Sequence, residues 1–261
     1  MSTLRLGTRG SKLALWQANH VADLLRRAAP GLEIAIEVIK TQGDKILDVS
    51  LSKIGDKGLF TKEIELALLD KRVDLAVHSM KDLPSVLQPG LCLGAVVARE
   101  NPRDVLLSSH GSGFAELPRG ARVGTSSLRR IAQLKAVRPD LNTVDLRGNV
   151  DTRIKKMQQQ GLHAIVLAYA GIKRLGYEEL ITEVLPCELL LPAVGQGAIG
   201  VEIRSDDENT AAMLALINHE ATRLEVLAER SFLRVLEGGC QIGQVHPVDL
   251  LAFGIVQRHS V

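Results

Sequence analysis

Apolar and polar residues alternate strictly through Leu4-Arg5-Leu6-Gly7, then change to a helical period at Leu13, Trp16, Ala18 and Val21 through Leu25. The switch predicts a strand and a helix joined by Thr8-Arg9-Gly10-Ser11-Lys12. Pro30-Gly31 ends that helix, and Leu32 to Ile39 reads as a second strand. The polar segment Lys40 to Gly58, with Asp44, Lys45, Lys53, Asp56 and Lys57, runs longer than packed connections do and predicts a mobile loop or lid. An amphipathic helix over Phe60 to Leu69 then leads into a short apolar strand, Asp74 to Val77. The order strand, helix, strand, loop, helix, strand fits a largely parallel sheet.

Pro89-Gly90 interrupts the chain, Cys92 to Val97 is apolar, and Arg99 to Asp104 (RENPRD) reads as a domain boundary. A second unit follows. Arg122-Val123-Gly124 is a short strand, and Thr125-Ser126-Ser127 caps a helix over Leu128 to Val137. After Pro139, Thr143 to Leu146 forms a strand that ends at Arg147-Gly148-Asn149, with Arg153 one turn into the next helix. The strand Ala164 to Ala168 runs into Tyr169-Ala170-Gly171 and then Lys173-Arg174. Leu189 to Ala198 is an apolar, glycine-punctuated crossover, and the late strand Ile199 to Ile203 is placed to return to the first sheet. Asp206 to Leu236 reads as two helices, stopped by Glu237-Gly238-Gly239 directly before Cys240.

At 261 residues, 46% apolar and 24% charged, the chain has the makings of a real core and of two domains or more. Aromatics make up only 3%, so the core is aliphatic and a stacking surface for nucleic acid is not expected. A net charge of +2 without a polybasic tail gives little steering toward nucleic acid or membrane. Cys92, Cys187 and Cys240 are odd in number and lack metal-ligand spacing, so neither a disulfide framework nor a metal is expected. With no apolar run of membrane length and no signal-like start, the expectation is the reducing cytoplasm.

Arginine outnumbers lysine, and its placement is the informative feature. The stretch VDLAVHSMKDLP, Val73 to Pro84, sets His78, Ser79, Lys81 and Asp82 at the end of a buried strand. Arg9, Arg129, Arg130, Arg147, Arg153 and Arg174 also fall just past strand ends or in the following turns. In a doubly wound sheet those positions share one edge, which predicts an anion-binding cleft. Arg129 and Arg130 oppose the dipole of their own helix at a cost of up to ~1 kcal/mol each, a further pointer to a polyanion. Plainer readings stand beside these. VDLAVHSMKDLP is also compatible with a solvated turn, Thr8 to Ser11 with a simple helix cap, and Cys240 with a small buried hydrophobe. A thiol directly past a glycine pair is equally placed to carry a covalent adduct.

The stretches LRLGTRGSKLALWQA, GDKGLFTKEIE, DLAVHSMKDLP, RVGTSSLRR, LRGNVDTRI, LPAVGQGAIG and ERSFLRVLEGGCQ resemble the porphobilinogen deaminase, or hydroxymethylbilane synthase, family. They run from residue 4 to 241 in the family's order. The resemblance implies an α/β fold with two periplasmic-binding-protein-like lobes, mixed and mainly parallel sheets, and a third small α/β domain. Domain 1 would take residues 1–98 and 198–216, domain 2 residues 99–197, and domain 3 residues 217–261. It further implies a dipyrromethane cofactor attached by thioether to Cys240. Four porphobilinogen units would be added to it with loss of ammonia, and hydrolysis would free hydroxymethylbilane, a tetrapyrrole and heme precursor.

By motif, Asp82 matches the family's catalytic carboxylate. A carboxylate beside pyrrole nitrogens accepts their hydrogen bonds, stabilises developing positive charge and helps shuttle protons. Lys81, Thr125, Ser127, Arg129, Arg130 and Arg147 match cofactor-binding positions, and Arg9, Ser11, Arg153 and Arg174 substrate-binding ones. Paired arginine contacts suit a chain bearing acetates and propionates. Lys57 lies in the matching loop, expected to cover the cleft and exclude water. The implied partner is porphobilinogen alone, with no nucleic acid and no membrane, and the implied state a monomer.

The match stops at Cys240-Gln241, and IGQVHPVDLLAFGIVQRHSV does not resemble the expected sheet. The third domain is therefore expected to be incomplete, with reduced stability or poor cofactor loading. Two rival readings stay open, an impaired family member and a non-enzymatic two-lobed anion-binding protein.

Overall fold

A computed structural model of the chain describes residues 3–45 and 61–236. Lys57 and most of the predicted loop, and Cys240 with the whole tail, lie outside the described residues. Contacts divide the described chain into two compact units, the first comprising 3–45, 61–102, 168–178 and 193–236, the second 103–167 and 179–192.

The chain opens with β1 (Leu4–Thr8), α1 (Lys12–Ala28), β2 (Ile34–Val38) and the single turn α2 (Gln42–Lys45). Helix α3 (Lys62–Leu69), β3 (Leu75–Ser79) and β4 (Leu91–Val96) follow. The second unit takes β5 (Asp104–Ser108), β6 (Arg122–Gly124), α4 (Leu128–Val137), β7 (Asn142–Val144) and α5 (Val150–Gln159). After β8 (Ala164–Ala168), helix α6 (Tyr169–Arg174) belongs to the first unit and the short β9 (Glu183–Val184) to the second. Strand β10 (Ile199–Arg204), α7 (Glu208–Ala215) and α8 (Glu220–Val235) complete the first.

Both sheets are mixed. The first has the order β2-β1-β3-β10-β4, with β1 parallel to β2 and β3, and β10 antiparallel to β3 and β4. The second has the order β7-β6-β8-β5-β9, with β6 parallel to β7 and β8, and β9 antiparallel to β5. The late strand thus returns to the first sheet, as its apolar run suggested. In each sheet the chain leaves an inner strand, β1 or β6, and places its next two parallel strands on opposite sides. Strand ends at such a reversal leave room for a ligand.

Burial on both faces makes β3 the centre of its unit. Leu75 and Val77 join Leu4, Leu6, Val201 and Ile203 against Val21, Ala22 and Leu25 of α1. Ala76 points the other way, to Ile64, Ala67 and Leu68 of α3. The core of the second unit gathers Leu106, Val123 and Val166 on Leu134 of α4.

Helix α8 is tied into the first unit by charge as well as by Val226, which packs against Met80, Leu83 and Ala198. Glu229 receives hydrogen bonds from Arg99 Nη1 at 2.6 Å and from the amide of Gly195 at 2.7 Å. Arg230 Nη1 donates to the carbonyl of Leu83 at 3.0 Å, and its Nη2 to that of Pro84.

Gly200 on β10 lies where a Cβ would stand 2.2 Å from Met80 Sδ and 3.0 Å from a methyl of Leu93. Gly200→Val should therefore lower the unfolding free energy by roughly 1–3 kcal/mol, read by urea denaturation. An unchanged midpoint would contradict this packing.

Candidate functional site

The β1 and β3 ends converge on a cavity lined by Arg9, Ser11, Gln17, His78, Ser79 and Asp82, among others. Ser11 caps α1, its Oγ accepting from the amide of Ala14 at 3.2 Å, so the cap and the cavity wall are the same residue. After β3 the backbone makes a 3-10 turn, Met80–Asp82, that exposes Asp82 and half-buries Lys81. Lys81 Nζ stands 3.5 Å from Gln196 Oε1, and Gln196 Nε2 donates to the carbonyl of Pro102 at 2.6 Å.

Gln17 was not foreseen. It is 2% exposed on the apolar face of α1, and its Nε2 donates to Ser79 Oγ at 2.8 Å. A buried amide that grips the residue before the Asp82 turn holds that turn to α1.

Arg174 is not among the residues lining this cavity. It is buried on α6, donates through Nη2 to the carbonyl of Gly197 at 2.6 Å, and sets its guanidinium 5.6 Å from the ring centroid of Trp16. Trp16 in turn stacks on His20 with centroids 5.0 Å apart. Burial pulls the Arg174 guanidinium down to about 10, against the opposing charge of Glu100. Burial also lowers His20, and the Arg174 charge adds to it.

The second unit carries its own strand-end set. Thr125 is buried after β6, its amide donating to the carbonyl of Val144 at 2.9 Å. Ser126 Oγ donates to the carbonyl of Leu146 at 2.8 Å, and Ser127 Oγ caps α4. After β7, Arg153 Nε donates to the carbonyl of Gly148 at 2.7 Å, and Lys156 Nζ to that of Arg147 at 3.2 Å. Gly148 has φ +115°, a conformation that L side chains rarely adopt. The Arg147 side chain at this tight turn has an acid beside it, its Nε lying 3.5 Å from Asp145 Oδ2.

Arg129 and Arg130 have a protein counter-ion that the sequence pattern did not disclose. Arg129 Nη2 lies 2.6 Å from Asp104 Oδ2, and Arg130 Nη2 lies 2.7 Å from Asp104 Oδ1. Asp104, the first residue of β5, is wholly buried. Burial pushes its carboxyl up, but the two guanidiniums outweigh this and hold it at about 2, against an ordinary 3.8. Arg130 also donates through Nη1 to the carbonyl of Val166 at 2.9 Å, and Arg129 through Nη1 to that of Leu191. The unfavourable placement at the start of α4 is thus offset in part within the fold. Two guanidiniums on one carboxylate keep a net positive charge.

Comparison with known proteins supplies the relationship. Residues 4–212 match the family model described as "Porphobilinogen deaminase, dipyromethane cofactor binding domain". The porphobilinogen deaminase of Syntrophomonas wolfei is 61% identical over 262 aligned positions, covering 97% of this chain and 86% of that protein. The chain belongs to the porphobilinogen deaminase family. Its similarity to the family's protein from Carboxydothermus hydrogenoformans is 60% over 237 positions, 91% of this chain and 76% of that one. Among solved structures, a TRAP periplasmic solute binding protein from Desulfovibrio salexigens is 10% identical, with a TM-score of 0.50, covering 88% of this chain and 75% of that one. That likeness concerns the fold alone. Among the described residues, no cluster of His, Cys, Asp and Glu could hold a metal, and no helix is long and apolar enough to cross a membrane.

Asp104→Asn should destabilise the second unit by roughly 3–5 kcal/mol, because it leaves two buried guanidiniums without an anion. The depressed carboxyl also fixes a pH dependence. Its stabilisation is complete above 3.8 and is lost as pH falls toward about 2. At about 1.4 kcal/mol per pH unit that is on the order of 2 kcal/mol. Denaturation midpoints of wild type and Asp104→Asn, measured from pH 6 to pH 2, should converge as the pH falls. Parallel curves would contradict the assignment.

Proposed function

We propose that the chain is a hydroxymethylbilane synthase, joining four porphobilinogen molecules with loss of ammonia and releasing the linear product by hydrolysis. The observation that carries this reading is the cavity at the β1 and β3 ends, where Asp82 stands with Arg9 and Ser11. Family membership supplies the reaction.

The residues present fit a dipyrromethane bearing acetate and propionate groups. Arg153 and Lys156 donate to the carbonyls of the Arg147-Gly148 turn, and the first amides of α5 have no side-chain cap. In this proposal Cys240 holds the group by a thioether, and Lys81, Thr125, Ser127, Arg129, Arg130 and Arg147 serve its carboxylates. Arg9, Ser11, Arg153 and Arg174 serve the incoming porphobilinogen, and Lys57 the covering loop. The bound group supplies the nucleophilic pyrrole carbon from which the chain grows. Asp82 does what an exposed carboxylate on a rigid turn can do. It accepts hydrogen bonds from pyrrole N–H groups and stabilises positive charge as the aminomethyl bond breaks.

Arg174 has a constrained part in this scheme. Its carbonyl partner and the Trp16 ring hold the guanidinium in one orientation, which favours paired recognition of a carboxylate over free swivelling. The domain division given above, a third small α/β domain, a monomeric state and a cytoplasmic location belong to the same proposal.

Intact mass spectrometry of the purified 261-residue protein tests it. The expected result is a mass increase equal to two linked pyrroles, absent in Cys240→Ser, with ammonia released from porphobilinogen. Asp82→Asn should retain the added mass and lose roughly a hundredfold or more in kcat. An unmodified mass together with no ammonia release would favour the non-enzymatic anion-binding alternative.

A further inference from the structure

The first unit holds a buried acid–histidine pair that the scheme above does not use. Side chains at alternate positions of β3 share a face, so His78 follows Ala76 toward α3 while Ser79 follows Val77 toward α1. On that face β10 supplies Glu202, a carboxylate of zero exposure in the middle of a sheet. His78 Nε2 lies 3.1 Å from Glu202 Oε2, both side chains almost wholly enclosed. His78 is also one of the residues lining the Asp82 cavity.

A carboxylate at 0% exposure is costly to bury, and the His78 ring is its hydrogen-bond partner among the described residues. A carboxylate accepts, so the 3.1 Å contact fits the tautomer in which Nε2 donates to Glu202 and Nδ1 keeps its lone pair. Nδ1 makes no hydrogen bond among the described residues. The groups around the imidazole come from every element packed on it. They are Glu202 from β10 and Glu65 from α3, with Arg9 of the β1–α1 loop and Asp82 of the turn lining the same cavity. Burial raises the Glu65 carboxyl, and the charge of Glu202 adds to the effect.

We propose that His78, its ring fixed by Glu202, is the base that takes up the proton released at each condensation. The inference rests on the synthase reading. In that reaction the aminomethyl C–N bond breaks and its electron pair leaves with ammonia. A C–C bond forms from the electron pair of the acceptor pyrrole, whose C–H pair then returns to the ring. The freed proton passes to Nδ1 of His78 and leaves through the cavity that this residue lines. Asp82, exposed on its turn, holds the pyrrole nitrogens, which divides two tasks between two residues. Glu202 is a positioning residue that acts only through the imidazole.

Two measurements test this. Nitrogen-15 spectra of histidine-labelled wild-type protein read the tautomer directly, with a bare Nδ1 expected on His78 and a shift of that signal in Glu202→Gln. Kinetics of cofactor-loaded protein give the second reading. His78→Gln should lower kcat roughly a hundredfold, leave KM within about twofold and remove the acid limb of the kcat profile. Glu202→Gln should also lower kcat, by less than His78→Gln does, because the ring remains but is no longer held by a carboxylate. A protonated Nδ1 in wild type, or an acid limb unchanged in His78→Gln, overturns the assignment and leaves a structural tie between strands. The spectra require no variant at position 78, so they decide even where His78→Gln does not fold. Wild-type protein that loads the cofactor but releases no ammonia overturns the synthase reading and this inference with it.

Discussion

Strand β3 has no face turned to water, and the organisation of its unit depends on that constraint. A strand covered on both sides must commit each residue to one helix or the other. Leu75 and Val77 serve α1, and Ala76 serves α3. When polar residues enter the strand at His78 and Ser79, each inherits the side that its parity assigns. Ser79 meets the amide of Gln17, and His78 meets Glu202. Shifting the strand by one residue would exchange both partners and turn the Asp82 turn away from α1. Chemistry at this strand end is therefore indexed by the packing behind it.

The second unit answers a related problem with charge. Its central helix α4 begins with two arginines, the wrong sign for a helix start, and the fold keeps them by burying Asp104 between them. The arrangement ties β5, which opens the unit, to the helix after β6. It also fixes two guanidiniums that would otherwise wander. Long side chains lose up to ~2 kcal/mol of rotamer freedom on ordering, and an anion already in place meets that loss before any ligand arrives.

Much of this was legible along the chain, and the reasons differ by element. Helix α4 follows the predicted Leu128 to Val137, because cap, helical period and the arginine-proline stop all act locally. Strand β8 follows the predicted Ala164 to Ala168 for the same reason. Strand β5 was not foreseen. Asp104 closes the polar RENPRD stretch, and an apolar run as short as VLL has no period to read. Pairings across the fold were equally hidden. Asp104 to Arg130, His78 to Glu202 and Gln17 to Ser79 join residues 26, 124 and 62 positions apart, and nothing local in the sequence marks them. The one clue was negative, two arginines at a helix start without a nearby acid.

The hold of α8 on the first unit has a mechanical meaning. Arg230 grips the carbonyls of Leu83 and Pro84, the two residues directly after Asp82, while Glu229 grips Arg99 and Gly195. Helix and turn are thus geared together through rigid, charge-assisted contacts. Any rotation of α8 about its axis would drag the Asp82 turn with it, and any strain on the turn would be felt along the helix. Cys240 follows five residues after the end of that helix. The C-terminal end of α8 is therefore set in the same frame as the carboxylate at position 82.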